Sequence, residues 1–376
     1  MKFPITLLLV FLLSQIYAQK VQNPELLNAA KTGDTLRIKE LLEKGADVNI
    51  KDKNTMEYTS LMWASARGYR DAAKLLIDNG AELNALDQFN QSALALASLS
   101  GHLEIVKLLV EKGADINPKN PKAKTALMSA VNLGHRAIVK FLLENGAKVN
   151  PDILAEALEY PSKQKPEIVQ LLILNGANVN AKSSESLGGT TALIWAIDKG
   201  YLDIVDLLIQ KKADMNLYDK NGRTALMVAV DEGKIEMAKL LIENGANVNS
   251  IGTQGSALMI AAENGNSELL NLLIEKGADV NLAKPWGETA LIIAVEKSNN
   301  TIAELLINKG ANIDAKKGNG ETSLIRAVSY CEIDLVKLLI QKKADVNIID
   351  TYGRTALSYS KGCSDATSLL KAAGAR

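Results

Sequence analysis

Gly245-Ala-Asn-Val-Asn249 and Gly277-Ala-Asp-Val-Asn281 are two copies of a short phrase that recurs along this chain of 376 residues. Other clear copies begin at Gly45, Gly80, Gly113, Gly146 and Gly176. Looser copies begin at Lys212, Gly310 and Lys343, and a truncated one begins at Gly374. Successive copies lie 30 to 36 residues apart, so one supersecondary unit is repeated about eleven times. Such units bury apolar surface only against their neighbours, and the spacing therefore predicts a stacked solenoid.

A second phrase accompanies the first in constant phase, as in Thr191-Ala-Leu-Ile-Trp-Ala196. Its other copies begin at Thr59, Ser92, Thr125, Thr224, Ser256, Thr289, Thr322 and Thr355. The opening Thr or Ser is a helix N-cap, because its hydroxyl accepts hydrogen bonds from free backbone N–H groups. The Leu and Ala that follow give a short helix a narrow apolar face. A turn then leads to a longer amphipathic helix such as Leu103–Val110.

The glycine that opens the first phrase suits a left-handed residue at the end of the second helix. Lys212 and Lys343 stand at this position in two copies, which should cost each helix end about 1 kcal/mol. The loop that leads to the next unit is predicted to project as a finger, with the turn at Asp219–Gly222 as the clearest example.

Together the two phrases resemble the ankyrin repeat, whose signature is Thr-Pro-Leu-His-x-Ala. The resemblance extends over nearly all of residues 23–376, although Ala or Ser replaces the signature Pro and Met, Ile, Ala or Ser replaces the His. It implies an all-α solenoid of about eleven helix-turn-helix units with projecting finger loops. It also implies a non-enzymatic module that binds another protein, because repeats of this family are overwhelmingly interaction scaffolds.

The repeat is irregular at its N-terminal end and at about residues 150–190. Residues 23–30 begin a helix without the second phrase, as a polar capping repeat would. Pro151 follows Asn150 directly, Pro161 and Pro166 bracket the inter-helix turn, and Ser183–Gly189 lengthens the next finger. Two interpretations remain open, a local bend that separates two sub-stacks or neutral drift within one unit.

Residues 1–18 have the features of a secretory signal peptide that is cleaved after Ala18. A short positively charged start precedes the apolar stretch Ile5–Leu13. A lipid anchor is not expected, because no cysteine lies near the cleavage site. The mature chain would then be residues 19–376, and it would be exported. The signal suits a bacterium somewhat better than a eukaryote, so the periplasm is expected if the source is bacterial and secretion otherwise. A retained membrane anchor is the alternative.

The balance of charge argues against nucleic acid as a partner. Lys and Arg number 43 and Asp and Glu number 43, so the basic excess of a nucleic-acid groove is missing. Beyond the N-terminus no stretch is apolar enough to span a bilayer, so no stable membrane insertion is expected after cleavage. His102 and His135 both follow a turn glycine, where a structural role is expected rather than a metal pair. The motifs of catalysis and cofactor binding are missing, so neither an enzymatic activity nor a cofactor is expected.

The principal hypothesis is that the fingers and first helices of a monomer form a concave face that binds a partner protein. The alternatives are an enzyme-linked role, as a cryptic hydrolase or as a periplasmic accessory to a stress-defence enzyme, and a secreted effector that acts on a host protein. Large side chains on the finger tips are candidate contacts, against the alternative of incidental exposure. They are Met56, Tyr58, Phe89, Trp286 and Tyr352. Trp63 and Trp195, on first helices, are expected to lie partly in the core.

Four consecutive repeats place an acid seven residues after the opening Thr or Ser. These acids are Asp198, Asp231, Glu263 and Glu296. Stacked helices lie about 8–10 Å apart, so the four carboxylates are predicted to form a ladder on the concave face, partly neutralised by Lys199 and Lys297. Such a ladder favours a basic partner, whereas the alternative is a plain solvated helix end.

Cys331 and Cys363 are the two cysteines of the chain, and in an exported protein they are candidates for a disulfide. Both fall at the inter-helix turn of adjacent repeats. Equivalent positions in stacked helices lie about 8–10 Å apart, whereas a disulfide needs its Cα atoms within about 7 Å. The cysteines are offset by one position, which could close or widen that gap. Two independent turn residues are therefore the alternative.

Overall fold

The structure, a computed structural model, describes residues 23–150, 153–159, 165–184, 186 and 188–376. The proposed signal peptide, residues 1–18, lies outside the described residues, as do Pro151 and Pro161 of the irregular segment. Within the described part of the chain, the regular secondary structure is helical and is accompanied only by isolated β-bridges at the bases of fingers. The chain divides into two compact units, the first extending to Ala181 and the second covering Lys182–Arg376.

The helices follow one another in pairs in both units. The first unit contains α1 (residues 23–32), α2 (Thr35–Glu43), α3 (Ser60–Arg67), α4 (Arg70–Asp78), α5 (Ala93–Leu99), α6 (Leu103–Glu111), α7 (Ala126–Leu133), α8 (Arg136–Glu144), α9 (Ile153–Glu159) and α10 (Lys165–Leu174). The second unit contains α11 (Ala192–Lys199), α12 (Leu202–Gln210), α13 (Ala225–Asp231), α14 (Ile235–Glu243), α15 (Ala257–Glu263), α16 (Ser267–Glu275), α17 (Ala290–Glu296), α18 (Asn300–Asn308), α19 (Ser323–Ser329), α20 (Ile333–Gln341), α21 (Ala356–Tyr359) and α22 (Ser364–Ala372). The predicted all-α repeat architecture is confirmed.

Each pair buries two different helix surfaces. The first helix is thin and buried almost all round, as in α15, where the six residues from Ala257 to Ala262 are all buried. The second helix buries one stripe, as in α16, where Leu269, Leu270 and Leu273 are buried and the other face is open to solvent. First helices pack on first helices and second helices on second helices of the neighbouring pair, so the core of each unit runs along its stack.

The opening Thr or Ser of the second phrase caps the first helix as predicted. In α3, for example, the Thr59 hydroxyl accepts a hydrogen bond of 3.3 Å from the backbone N–H of Met62. The equivalent bond in α7 runs from the Met128 N–H to the Thr125 hydroxyl over 3.2 Å. Each cap satisfies one of the backbone N–H groups that a helix start leaves free.

The terminal Asn of the first phrase ties each repeat to the next. The Asn281 side chain donates to the carbonyl of Gly310 over 3.2 Å and accepts from the backbone N–H of Asn312 over 2.7 Å. The side chain of Asn249 makes the same two bonds, to the Gly277 carbonyl and from the Asp279 N–H. One amide side chain therefore satisfies backbone groups of the following repeat, which explains why the phrase ends in Asn.

Lys212 and Lys343 adopt the left-handed conformation that the sequence predicts, with φ of 61° and 68°. Glycine adopts it without steric cost, so Lys212→Gly and Lys343→Gly should each stabilise the chain by about 1 kcal/mol in urea unfolding. Gly245→Lys is the matched reverse change, because Gly245 has φ of 95° and open space where a Cβ would lie. It should destabilise the chain by a similar amount, and a neutral effect of all three substitutions would contradict the backbone argument.

Candidate partner-binding surface

The fingers of neighbouring repeats are joined in rows by backbone hydrogen bonds. In the second unit the Gly318 N–H donates to the Trp286 carbonyl over 2.6 Å, and the Thr351 N–H donates to the Asn319 carbonyl over 2.9 Å. In the first unit the Gln88 N–H donates to the Met56 carbonyl over 3.1 Å. In these pairs one finger therefore supports the next, and the tips Met56, Trp286 and Tyr352 lie on fingers that are braced in this way.

Three aromatic residues and one methionine stand at equivalent tips, three positions before the capping Thr or Ser. The side chains of Trp286 and Tyr352 are 54% and 76% exposed, on either side of the finger that carries Asn319. Phe89 and Met56 are also exposed, on two successive fingers of the first unit. Large apolar side chains held outward on a braced backbone are suitable anchors for a partner.

The prediction that Tyr58 is an exposed tip residue was wrong. Tyr58 lies one position before the capping Thr59, where the finger returns to the helix, and it is only 8% exposed. Its ring packs against that of Trp63 with the centroids 4.9 Å apart. Burial and the charge of Asp87 raise the pKa of the Tyr58 hydroxyl. Tyr58 therefore forms part of the base of its finger.

The two tryptophans of the first helices differ in burial. Trp195 is buried and packs on Tyr201. Trp63 is half-buried, and the Nζ atom of Lys31 lies 4.6 Å above the centre of its ring. The expectation that both lie partly in the core agrees with these positions.

The four acids predicted to form a ladder are mostly paired with cations. Glu296 bonds Lys317 over 2.8 Å and Arg326 over 3.0 Å. Lys297 does not pair with its neighbour Glu296 but reaches Glu263 in the preceding repeat, over 2.8 Å.

At the other two positions, Asp198 pairs with Lys199 over 2.8 Å and Asp231 accepts from the Asn264 amide over 3.3 Å. Lys199 and Lys297 neutralise part of the row as expected, but Lys317 and Arg326 also reach Glu296, so three of the four acids carry a cation and the acids do not form a row of like charge.

The base of the fingers around α17 and α19 contains a chain of half-buried ion pairs. Glu288 pairs with Lys284 over 2.7 Å and with Lys317 over 3.2 Å, and Lys317 continues to Glu296. Burial opposes the charge on Glu288, but the hydrogen bonds from both lysines outweigh it and lower its pKa. Burial likewise opposes the charge on Lys317, and its two carboxylate partners raise its pKa. Opposite charges alternate along this series of ion pairs, so the series does not create an electrostatic field of one sign.

The last finger closes around Asp350. The carboxylate accepts from the backbone N–H groups of Tyr352 and Arg354, from the Arg354 guanidinium and, over 2.6 Å, from the Tyr359 hydroxyl. The Arg354 guanidinium lies 4.7 Å from the ring centre of Tyr352 and 4.6 Å from that of Tyr359. Burial alone would raise the pKa of Asp350, but these hydrogen bonds outweigh it and hold the pKa below the ordinary 3.8. Burial and the bond to Asp350 raise the pKa of Tyr359 to about 12.

The pair of Asp350 and Tyr359 should make the stability of the last repeat depend on pH at both extremes. The stabilisation from Asp350 is present above pH 3.8 and lost as the pH falls below it, because the unfolded chain takes up the proton first. The stabilisation from Tyr359 is present below pH 10.0 and lost as the pH rises to about 12. The difference in phenolate absorbance between wild type and Tyr359→Phe should therefore show one tyrosine ionising near pH 12. Ionisation of that tyrosine at pH 10.0 would contradict the hydrogen bond.

A scan against protein-family models matches the chain to ankyrin repeats, described as a model of three copies. The matches cover residues 7–87, 26–120, 61–153, 154–251, 258–350 and 312–376, which is far more than half of the chain. The chain belongs to the ankyrin repeat family. Ankyrin repeats are in general non-enzymatic protein–protein interaction modules. The comparison with curated proteins finds no match.

The turn histidines of the ankyrin repeats contact the preceding repeat. The Nε2 atom of His102 lies 3.2 Å from the Ala66 carbonyl oxygen, and that of His135 lies 2.9 Å from the Leu99 carbonyl oxygen. This geometry agrees with the structural interpretation of both residues. Within the described ranges, no group of His, Cys, Asp and Glu has the arrangement of a metal site. None of the helices in the described part of the chain combines the length and apolarity needed to cross a membrane.

Cys331 and Cys363 occupy two ankyrin positions that touch across adjacent repeats. Cys331 occupies the left-handed turn position, with φ of 58°, at which an earlier repeat has Gly68. Cys363 comes directly after the turn of the following repeat, which is the position that His102 occupies in its own repeat. A Cβ added to Gly68 would lie 2.7 Å from the His102 ring. The one-position offset thus closes the gap between the helices. The structure places the two Cα atoms 5.8 Å apart and joins the sulfurs in a disulfide.

Sequence reasoning missed the ion pairs that close the fingers at their bases. Arg223 pairs with Asp219 over 3.0 Å, Arg354 with Asp350 over 2.8 Å, and Lys284 with Glu288 over 2.7 Å. Each pair joins residues four apart on the two sides of one finger. Opposite charges at this fixed spacing before the capping Thr are the signal that could have found them.

Proposed function

We propose that this protein is a non-enzymatic interaction module that binds a partner protein through its finger tips and first helices. The observation that carries the proposal is the exposure of Trp286 and Tyr352 at equivalent tips of braced fingers. Tryptophan and tyrosine are enriched among the residues that contribute most to binding at protein interfaces, so their repetition at equivalent braced tips supports a binding role. The ion-paired surface beneath the tips has no excess of one charge, so aromatic contacts supply most of the affinity.

We further propose that the chain is exported after removal of residues 1–18 and acts in the periplasm of a bacterium. The signal-like N-terminus and the bonded geometry of Cys331 and Cys363 both support an oxidising destination. Cell fractionation and N-terminal sequencing test this step, with a mature protein that begins at Gln19 as the expected result. A cytoplasmic protein that keeps its N-terminus would overturn the proposal of export.

The binding proposal is tested by chemical cross-linking and capture from the compartment in which the native protein is found. One partner should be enriched by the wild-type chain and absent after Trp286→Ala with Tyr352→Ala. The identity of the partner then decides whether the module serves a stress-defence enzyme or acts on a host protein. Equal recovery of every captured protein by the wild-type chain and the double variant would contradict a role for the tips.

A further inference from the structure

Three fingers of the chain close around an aspartate in the same way. The backbone N–H of Asp87 donates to the Gln91 carbonyl over 3.0 Å, and one carboxylate oxygen, Oδ1, accepts from the N–H groups of Phe89 and Gln91 over 2.8 Å each. Asp219 and Asp350 make the corresponding closing bonds and accept from two backbone N–H groups in the same manner. The three aspartates therefore have one conformation and one role in the turn.

The fingers differ in the bonding partner of the second carboxylate oxygen, Oδ2. In Asp219 and Asp350, Oδ2 bonds the guanidinium of the arginine four residues later, Arg223 or Arg354. The aspartate of the first finger, Asp52, has a cation as well, because its Oδ2 lies 2.8 Å from Nζ of Lys31.

Asp87 alone of these four aspartates lacks a cation. The residue four positions after Asp87 is Gln91, a neutral residue that bonds the carboxylate only through its backbone N–H. The position that Lys31 occupies in the first repeat is Ala66 in the repeat before this finger. Asp87 is 5% exposed, and its Oδ2 is buried without a hydrogen-bond partner. A buried carboxylate is costly unless a cation pairs with it, so this finger is one cation short of the others.

The surroundings of Asp87 suit a cationic side chain that arrives from outside. Burial and, to a lesser extent, the charge of nearby Asp87 raise the pKa of Tyr58, whose ring packs against Trp63 at an interplanar angle of 58°. Phe89, two residues after Asp87 on the same finger, and Met56, on the adjacent finger, are both exposed. Aromatic rings favour a guanidinium over an ammonium, since the planar group can stack as well as pair.

We infer that Asp87 is the receptor for an arginine of the partner protein, on a segment whose neighbouring apolar side chain packs on Phe89 and Met56. The incoming guanidinium takes the place that Arg223 and Arg354 fill in their own fingers, and Gln91 moves aside to admit it. The inference rests on the proposed function in one respect, that a protein supplies the arginine. It specifies the recognised side chain, which the family fold leaves open.

The test uses two short peptides that differ only in charge. The peptide Gly-Leu-Arg-Leu-Gly, blocked at both ends, is titrated into the full chain, and the amide NMR signals of Phe89 and Gln91 are followed because both amides bond Asp87. The control peptide carries citrulline, which is neutral and has nearly the same shape as arginine. The arginine peptide should bind at least about 10-fold more tightly, the ratio expected for one charge-assisted hydrogen-bonded pair. Equal affinities, or no shift with either peptide, would overturn the inference.

Two reciprocal variants locate the effect in the finger. In Gln91→Arg the chain itself supplies the cation that Asp87 lacks, so the preference for the arginine peptide should be lost. In Arg223→Gln, Asp219 loses its cation, so a second site that prefers the arginine peptide should appear at Asp219. Both changes reproduce a residue already present in a sister finger, so neither should unfold the chain. A preference that survives in Gln91→Arg would refute the inference. The captured partner gives a separate test. If it binds Gln91→Arg as tightly as the wild type but no longer binds the variant with Trp286→Ala and Tyr352→Ala, the inference about Asp87 is refuted and the proposed function stands.

Discussion

Simultaneous replacement of Trp286 and Tyr352 by alanine should lower the affinity for the partner by at least about 100-fold. Each truncation of an anchoring aromatic residue costs about 2 kcal/mol or more, and about 1.4 kcal/mol corresponds to a factor of ten. Both side chains lie on exposed tips, and the backbone bonds that hold their fingers do not involve the rings. The loss should therefore appear in calorimetric titration with the captured partner, with the helical content unchanged.

Leu36→Ala provides a matched control for the loss of exposed apolar surface. Leu36 is 82% exposed but lies in the second helix α2, away from the finger tips. It should leave the affinity within about twofold, as most surface substitutions do. Similar losses in Leu36→Ala and the double variant would show that apolar surface in general, rather than the tips, governs binding.

Reduction of the disulfide between Cys331 and Cys363 should destabilise the last repeats by about 3.5–4 kcal/mol. This is the chain-entropy value for a bridge across 32 residues. The last repeat is where fraying of a repeat stack begins, and the bridge ties it to the repeat before it. Hydrogen exchange of α22 should accelerate in the reduced protein, and thiol counting on unreduced, denatured chain should find no free thiols. Two free thiols per chain would contradict the bond between Cys331 and Cys363.

Cys331→Gly separates the loss of the bridge from the strain at this turn. Glycine adopts the left-handed conformation of Cys331 at no cost, so the variant should be about 1 kcal/mol more stable than the reduced wild type. It should still be less stable than the oxidised wild type. A variant as stable as the oxidised protein would mean that the bridge contributes no more than the roughly 1 kcal/mol of backbone strain that glycine removes, which would contradict the predicted value of about 3.5–4 kcal/mol.

Much of the candidate surface could be predicted from the sequence because equivalent positions in different repeats occupy equivalent places in the fold. The tips at Phe89, Trp286 and Tyr352 are exposed because their distance from the capping residue fixes their place on the finger. Tyr58 was misplaced because it lies one residue before the cap, where the chain has already turned towards the core. The ladder failed at Glu296 for another reason, since Lys317 and Arg326 reach it from the finger and the next repeat.

The sequence by itself determined the properties that repeat. These are the period, the helix pairs, the caps at Thr and Ser, and the left-handed positions of Lys212 and Lys343, all of which depend on contacts within one unit. Only the tertiary structure decided which non-equivalent side chains meet across neighbouring repeats. It brought Cys331 to Cys363 and left Asp87 without a cation, because such contacts depend on side-chain direction over distances shorter than the spacing of the helices.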